Sequence, residues 1–205
     1  MATLRDATIS DMRPVAEVFM GSFPVSVAHY VKAGDPKEAL EDLFSLCLVQ
    51  KGHFLVLEDE GRVAGYVVAP YSMRNLVFSS LVGGGALKIA AKFLSGRYRI
   101  GLADALKAAG NAAKNLFGNK KAGTKSDARI LSIAVSPRYQ GRGYGRILLG
   151  AALEALARRG VKAVRLEVRP DNAPAVKLYT WFGFKEEGSF SDSQGEWLVM
   201  VKVIE

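Results

Sequence analysis

From Arg129 to Arg159 the chain reads RILSIAVSPRYQGRGYGRILLGAALEALARR. A β-branched apolar run leads into three glycines that alternate with bulky residues, Gly141, Gly143 and Gly145. A Leu/Ala-rich stretch follows. Few local structures satisfy this order. Arg129–Ser136 predicts a buried strand, and the stretch beyond Gly145 predicts a helix that ends near Arg159 and is stopped by Gly160. Glycines let the backbone turn left-handed and come close to a ligand. A helix start leaves N–H groups unpaired and carries partial positive charge. The segment therefore reads as a turn able to bind an anion, with phosphate the usual guest. A tight strand-to-helix loop with no ligand is the plainer alternative.

Two nucleotide-binding patterns do not fit. A P-loop needs Lys-Ser/Thr after its last glycine, and none follows Gly145. A dinucleotide fingerprint needs a third glycine where Arg146 stands. The acidic residue it requires about 20 positions on is also missing, since Glu167 lies further along.

The rest of the chain supplies a mixed α/β (α+β) domain. Thr3–Thr8 predicts a strand, with Ser10 as N-cap of a helix to about Met20 and Pro14 in its first turn. Pro36–Gln50 carries Leu40, Leu43, Phe44, Cys47 and Leu48 at helical spacing. His53–Glu58 and Arg62–Ala69 predict a hairpin turning at Asp59–Gly61, with Gly65 as a bulge marker. Val161–Arg169 predicts a strand, and Asn172 caps a helix that Gly183 ends. Two antiparallel strands close the chain.

With 205 residues and 49% hydrophobic content, one core is expected, spanning 1–205 as a single domain. Cys47 is the single cysteine and is expected to be a buried structural thiol. His53 is expected at a strand edge, solvated or hydrogen-bonded. Two histidines and one cysteine cannot assemble a metal cluster, so no metal is expected. No leader-like or membrane-spanning stretch is read, which fits a reducing, cytoplasmic setting.

Gln140-x-x-Gly143-x-Gly145 after the IAVSP strand resembles the Q/R-x-x-G-x-G/A motif of the GNAT superfamily of N-acetyltransferases. Downstream, LEVRPDNAPAVKLYTWFGF resembles that superfamily's next strand and helix, through Asn172, Ala175, Leu178 and Tyr179. The likeness runs well over about Arg129–Ile204 and loosely over the first 70 residues. It implies a GNAT-like fold and acetyl-CoA as acyl donor. By the same resemblance, backbone N–H groups of Gly141, Arg142, Gly143, Tyr144, Gly145 and Arg146 hold the pyrophosphate, with Gln140 in the motif. The Arg142 and Arg146 side chains could add charge. The strand Ile133, Ala134, Val135 pairs with the pantetheine arm, and a backbone N–H there polarises the thioester carbonyl.

Asn172 either hydrogen-bonds the pantetheine or only caps its helix. Tyr179 is the candidate general acid, or a packed tyrosine. Glu167 is the candidate general base, direct or through water, or a strand glutamate paired with Arg165 or Arg169. Glu167 and Tyr179 stand as the base and acid do in ribosomal-protein N-terminal acetyltransferases, whose strand also reads LEVR. The expected acceptor is thus a protein N-terminal amine. A small-molecule amine (aminosugar, polyamine or nucleotide-linked amine) is the alternative, and a non-catalytic acyl-CoA-binding module is the competing class.

One segment departs from that pattern. Tyr71–Ala128, between the third and fourth strands, holds ten Lys/Arg and two Asp, a net +8 that equals the net charge of the whole chain. Ala86–Leu94 predicts a short helix after Gly83–Gly85, and Leu102, Leu106, Ala109, Ala113 and Leu116 follow helical spacing. Three roles suit a basic helical insertion: a packed hairpin with a solvated face, recognition of an acidic or phosphorylated acceptor, or docking on an anionic membrane surface. Nucleic acid is not expected, since no aromatic-rich basic groove is evident.

Overall fold

The computed structural model describes residues 2–30, 36–49, 53–98, 110 and 127–204. Strand β1 (Thr3–Asp6) leads through a 3-10 turn (Ile9–Asp11) into α1 (Met12–Ser22). The expected cap at Ser10 is displaced by an earlier one. The Asp11 carboxylate accepts from the Thr8 N–H and hydroxyl, both at 2.8 Å, so the turn is closed before Ser10. Both terminal nitrogens of Arg5 reach the same carboxylate, at 2.7 and 2.8 Å, and a hydrogen bond to Glu58 ties the assembly to the neighbouring strand.

A second short helix, α2 (Pro24–Tyr30), follows at once and was not expected. Phe23 breaks α1 by leaving helical geometry, and Pro24 restarts the chain where its missing N–H costs nothing. Helix α3 (Lys37–Leu46) runs on into a 3-10 turn at Cys47–Val49.

Strands β2 (Phe54–Asp59) and β3 (Arg62–Val68) form the expected hairpin. Glu60 and Gly61 both have positive φ, 53° and 69°, so the turn twists with the strands. The register shifts opposite Gly65, as the bulge reading anticipated. A Cβ on Gly65 would stand 2.8 Å from the Ala134 carbonyl oxygen and 3.0 Å from Leu148, so close packing requires glycine there.

The remaining elements are α4 (Met73–Val82), α5 (Gly85–Leu94), β4 (Ser132–Val135), α6 (Tyr144–Arg158), β5 (Ala163–Val168), α7 (Ala173–Trp181), β6 (Lys185–Asp192) and β7 (Gly195–Val203). Strands order as β1-β2-β3-β4 in one antiparallel sheet and β5-β7-β6 in another. The sheets meet through one parallel bridge, Arg129 to Arg165. There Ile130 donates to the Arg165 carbonyl and Arg165 donates to that of Ala128.

Alternation along the strands divides the core into two layers. Leu57 and Val67 join Leu148, Leu156, Leu166 and Tyr179 on the α6/α7 side. Val56, Tyr66 and Val68 join Val15, Phe44 and Cys47 on the α1/α3 side. Burial pushes the Cys47 thiol up to about 12, as expected of a structural cysteine. His53, expected at an edge, is buried.

The insertion begins and ends at one clasp. Ser72 caps α4 and donates 2.7 Å to Asp127, whose carboxylate also accepts from the Arg74 N–H. Helix α4 was not expected, whereas α5 stands where Ala86–Leu94 predicted it. The helix expected from Leu102 onward lies outside the described residues.

Candidate active site

Among the described residues, strand β4 uses only one of its edges. Its partner is β3, and among the described residues no strand pairs with its other edge beyond the Arg129 bridge. Ser136 donates to Ala64, which sets the alternation of the ladder. Ala134 therefore faces Tyr66 with its backbone, and Ile133 and Val135 turn theirs to the open edge. The Val135 carbonyl accepts from Gln140 at 3.1 Å and from Ser22 at 3.2 Å, which confirms its direction. Of the three strand residues named from sequence, Ile133 and Val135 present their backbones outward, while Ala134 packs its methyl into the core.

A 3-10 turn (Pro137–Tyr139) and the glycine loop follow. Gly141 and Gly143 have φ of 79° and 80°, angles that a side chain resists, yet nothing lies within 4 Å of where a Cβ would stand. Glycine is thus required here by backbone twist, and the space beside the loop is open. Gly143 is the N-cap residue of α6 and brings no capping side chain, so the N–H groups of Tyr144 and Gly145 start a 15-residue helix uncapped beside that space, while the Arg146 N–H turns back to the Gly143 carbonyl at 3.0 Å. Gly145 differs: it has no left-handed backbone, and a Cβ there would meet Leu178 of α7 in ordinary contact at 3.4 Å.

The loop is fastened by side chains. The Tyr144 phenol donates 2.6 Å to Asp59 Oδ2, and Arg142 reaches the same oxygen at 3.4 Å. Asp59 is buried at the hairpin tip. The Tyr139 and Tyr144 rings stack at 6.4 Å, and the guanidinium of Arg142 lies over Tyr139. Arg146 lies over Trp181 at 4.8 Å. Both arginines singled out from sequence are thus held by neighbours within the protein. Asp59 was read only as a turn residue, since an aspartate in a turn carries no sign of a partner 85 positions away.

Asn172 caps α7, its Oδ1 accepting from the Ala175 N–H at 3.3 Å. On β5, Val164, Leu166 and Val168 enter the core while Arg165 and Glu167 take the opposite face. Glu167 Oε1 lies 2.8 Å from Arg165 Nε and 3.2 Å from Arg129 Nη1, with its side chain 17% exposed. Arg129 was not singled out from sequence, although a charged residue at the start of a buried strand was the available signal. Tyr179 is 6% exposed, packs against Phe184 and belongs to the core layer that Leu166 and Val168 enter. Burial pushes its phenol up to about 12. Glu167 and the Tyr179 ring therefore lie on opposite faces of β5.

The sequence model of the acetyltransferase (GNAT) family matches residues 14–184, most of the chain. The chain belongs to the GNAT family. Over 60 residues it is 47% identical to ribosomal protein bS18 alanine N-acetyltransferase of Escherichia coli strain K12, covering 29% of this chain and 40% of that protein. It is 43% identical over 65 residues to mycothiol acetyltransferase of Brachybacterium faecium, covering 32% and 20%. The match thus spans less than half the length of these curated relatives.

Among solved structures, the fold is similar to Ard1 from Thermoplasma volcanium (TM-score 0.61, 19% identity, 100% and 98% of the two chains). It is also similar to an acetyltransferase from Salmonella typhimurium solved with acetyl-CoA (TM-score 0.62, 15% identity, 100% and 94%). The family match and these likenesses agree with the fold expected from the glycine loop and the LEVR strand.

Proposed function

We propose that the protein is an N-acetyltransferase that uses acetyl-CoA as donor and a primary amine as acceptor. The observation that carries this reading is the pairing of an open strand edge with an open helix start. Ile133 and Val135 offer backbone groups along β4, and the strand leads directly into Gly141 and Gly143 at the head of α6. An acyl-CoA has a pantetheine arm bearing amides and a pyrophosphate. The first suits a strand edge and the second suits helix N–H groups. The N–H groups from Gly141 to Gly145 hold the phosphates in this account; that of Arg146, expected among them, donates to the Gly143 carbonyl. Gln140 braces the loop, and Asn172 keeps its amide NH2 for the arm while its oxygen caps α7.

The reaction is direct attack. The amine nitrogen bonds to the thioester carbon, the C–S bond breaks, and coenzyme A leaves as thiolate. Glu167, fixed by Arg129 and Arg165, accepts the amine's proton directly or through water. Tyr179, kept neutral by burial, donates its proton to the thiolate. Cys47 takes no covalent part, since a buried thiol with a raised pKa is a poor nucleophile.

A protein N-terminal amine is the acceptor favoured by the match to the bS18 alanine enzyme. A small-molecule amine is the second reading, favoured by the match to mycothiol acetyltransferase. Calorimetric titration with acetyl-CoA tests the donor site. Gly143→Val, which forces a β-branched residue into left-handed backbone, should abolish binding while the chain stays folded by circular dichroism. Unaltered affinity would remove the loop from the site.

A further inference from the structure

Trp181 ends α7 with most of its ring in water. It is 63% exposed, and Arg146, from the first turn of α6, lays its guanidinium over the indole at 4.8 Å. Lys177 stands one turn back on α7, which puts it on the same face as Trp181. Among the described residues neither cation meets a carboxylate, and the indole N–H meets no acceptor. A second arginine–tryptophan pair gives the contrast. Arg169 lies over Trp197 at 5.4 Å, but there Trp197 donates 3.0 Å to Asp192 and Arg169 donates 2.6 Å to the Gln194 carbonyl. That pair fastens the turn between β6 and β7. Arg146 and Trp181 are not needed to join α6 to α7, since Leu178 and Phe182 already pack those helices onto the core.

The two helices run the same way. A Cβ on Gly145 would meet Leu178 at 3.4 Å and one on Gly150 would meet Phe182 at 3.7 Å, so both helices advance together. Their starts, at Gly143 and Asn172, therefore lie at one end, and Lys177 is nearer that end than Trp181. Arg146 follows the glycine loop directly. A group tethered to a pyrophosphate held by Gly141–Gly145 comes within reach of Arg146 and of the indole it covers. Acetyl-CoA carries such a group, an adenosine with a phosphate on its 3′ oxygen. Adenine is flat and stacks on an aromatic face. The phosphate carries about two negative charges and suits a guanidinium beside an ammonium. We infer that Trp181, Arg146 and Lys177 hold the adenosine 3′-phosphate of acetyl-CoA.

This inference rests on the reading of the glycine loop as the pyrophosphate site and adds selectivity to it. Backbone N–H groups take any diphosphate. The indole and its two cations add a preference for coenzyme A over a donor that lacks the 3′-phosphate or ends at the phosphopantetheine.

Calorimetric titration of the full chain with acetyl-CoA, 3′-dephospho-acetyl-CoA and S-acetyl-phosphopantetheine reads this subsite apart from the loop. The parent should bind acetyl-CoA about tenfold tighter than the dephospho compound, and Lys177→Ala should narrow that preference to about threefold. Trp181→Ala should weaken acetyl-CoA about tenfold and leave S-acetyl-phosphopantetheine unchanged. Trp197→Phe leaves Trp181 as the one indole of the chain. Its fluorescence should be quenched by acetyl-CoA and not by S-acetyl-phosphopantetheine, a readout that needs no change at Trp181. Acetyl-CoA bound by the parent with no preference for the 3′-phosphate and no quenching overturns this inference and leaves the donor reading standing. No binding of acetyl-CoA to the folded parent overturns both.

Discussion

Tyr144 and Asp59 tie the helix start of the candidate donor site to the β2–β3 hairpin. The phenol at the first position of α6 donates a 2.6 Å hydrogen bond to a carboxylate at the tip of the β2–β3 hairpin. That bond fixes the start of the helix, and so the direction of its N–H groups, against a rigid sheet. Tyr144→Phe keeps the ring stack on Tyr139 and removes only the bond. It should raise the acetyl-CoA KM about fivefold with little change in kcat, measured in steady state.

The sequence carried the parts of this site that local chemistry dictates. Positive φ demands glycine at 141 and 143, and the Asn172 cap precedes a proline at a helix start, so both were readable without a fold. What escaped is what depends on distance. Asp59 meets Tyr144, and Arg129 meets Glu167, only after the strands are placed. The pairing of Glu167 with Arg165 was legible as a period-two neighbour, while its second guanidinium was not. Helix α2 is seven residues long, too short for periodicity to register. Helix α4 hid because its apolar residues face outward as well as inward.

Tyr179 should show its burial in the pH profile. Its phenol stands near 12, above the ordinary value of about 10, so the proton it donates is retained further into alkali. No loss of kcat from phenol ionisation is expected between about pH 9 and 11. Tyr179→Phe should lower kcat about a hundredfold while moving the acetyl-CoA KM less than about threefold. A descending limb near pH 10 that this variant abolishes would contradict the burial argument.

Asp11 supplies an acid-sensitive part of the stability. Arg5 holds its carboxyl down at about 2, against an unfolded value of 3.8, with the Thr8 hydrogen bonds assisting and burial opposing. A depressed carboxyl contributes stability above its unfolded pKa and loses it as pH falls from about 4 through about 2. Arg5 is partly exposed, which reduces the contribution to about 1–2 kcal/mol. Urea unfolding at pH 7 and at pH 2.5 should show Asp11→Asn less stable than the parent at both, with the deficit at pH 2.5 reduced to roughly a third of that at pH 7.

Thiol release from acetyl-CoA across a panel of amines tests the central claim most directly. The panel comprises peptides with free N-termini, the same peptides N-acetylated, an aminosugar and a polyamine, with Glu167→Gln assayed beside the parent. The account predicts thiol release that requires a free amine, is greatest with the free peptide N-termini and falls about a hundredfold in Glu167→Gln. Thiol release with no dependence on any amine, or none at all from a protein that binds acetyl-CoA, would contradict it.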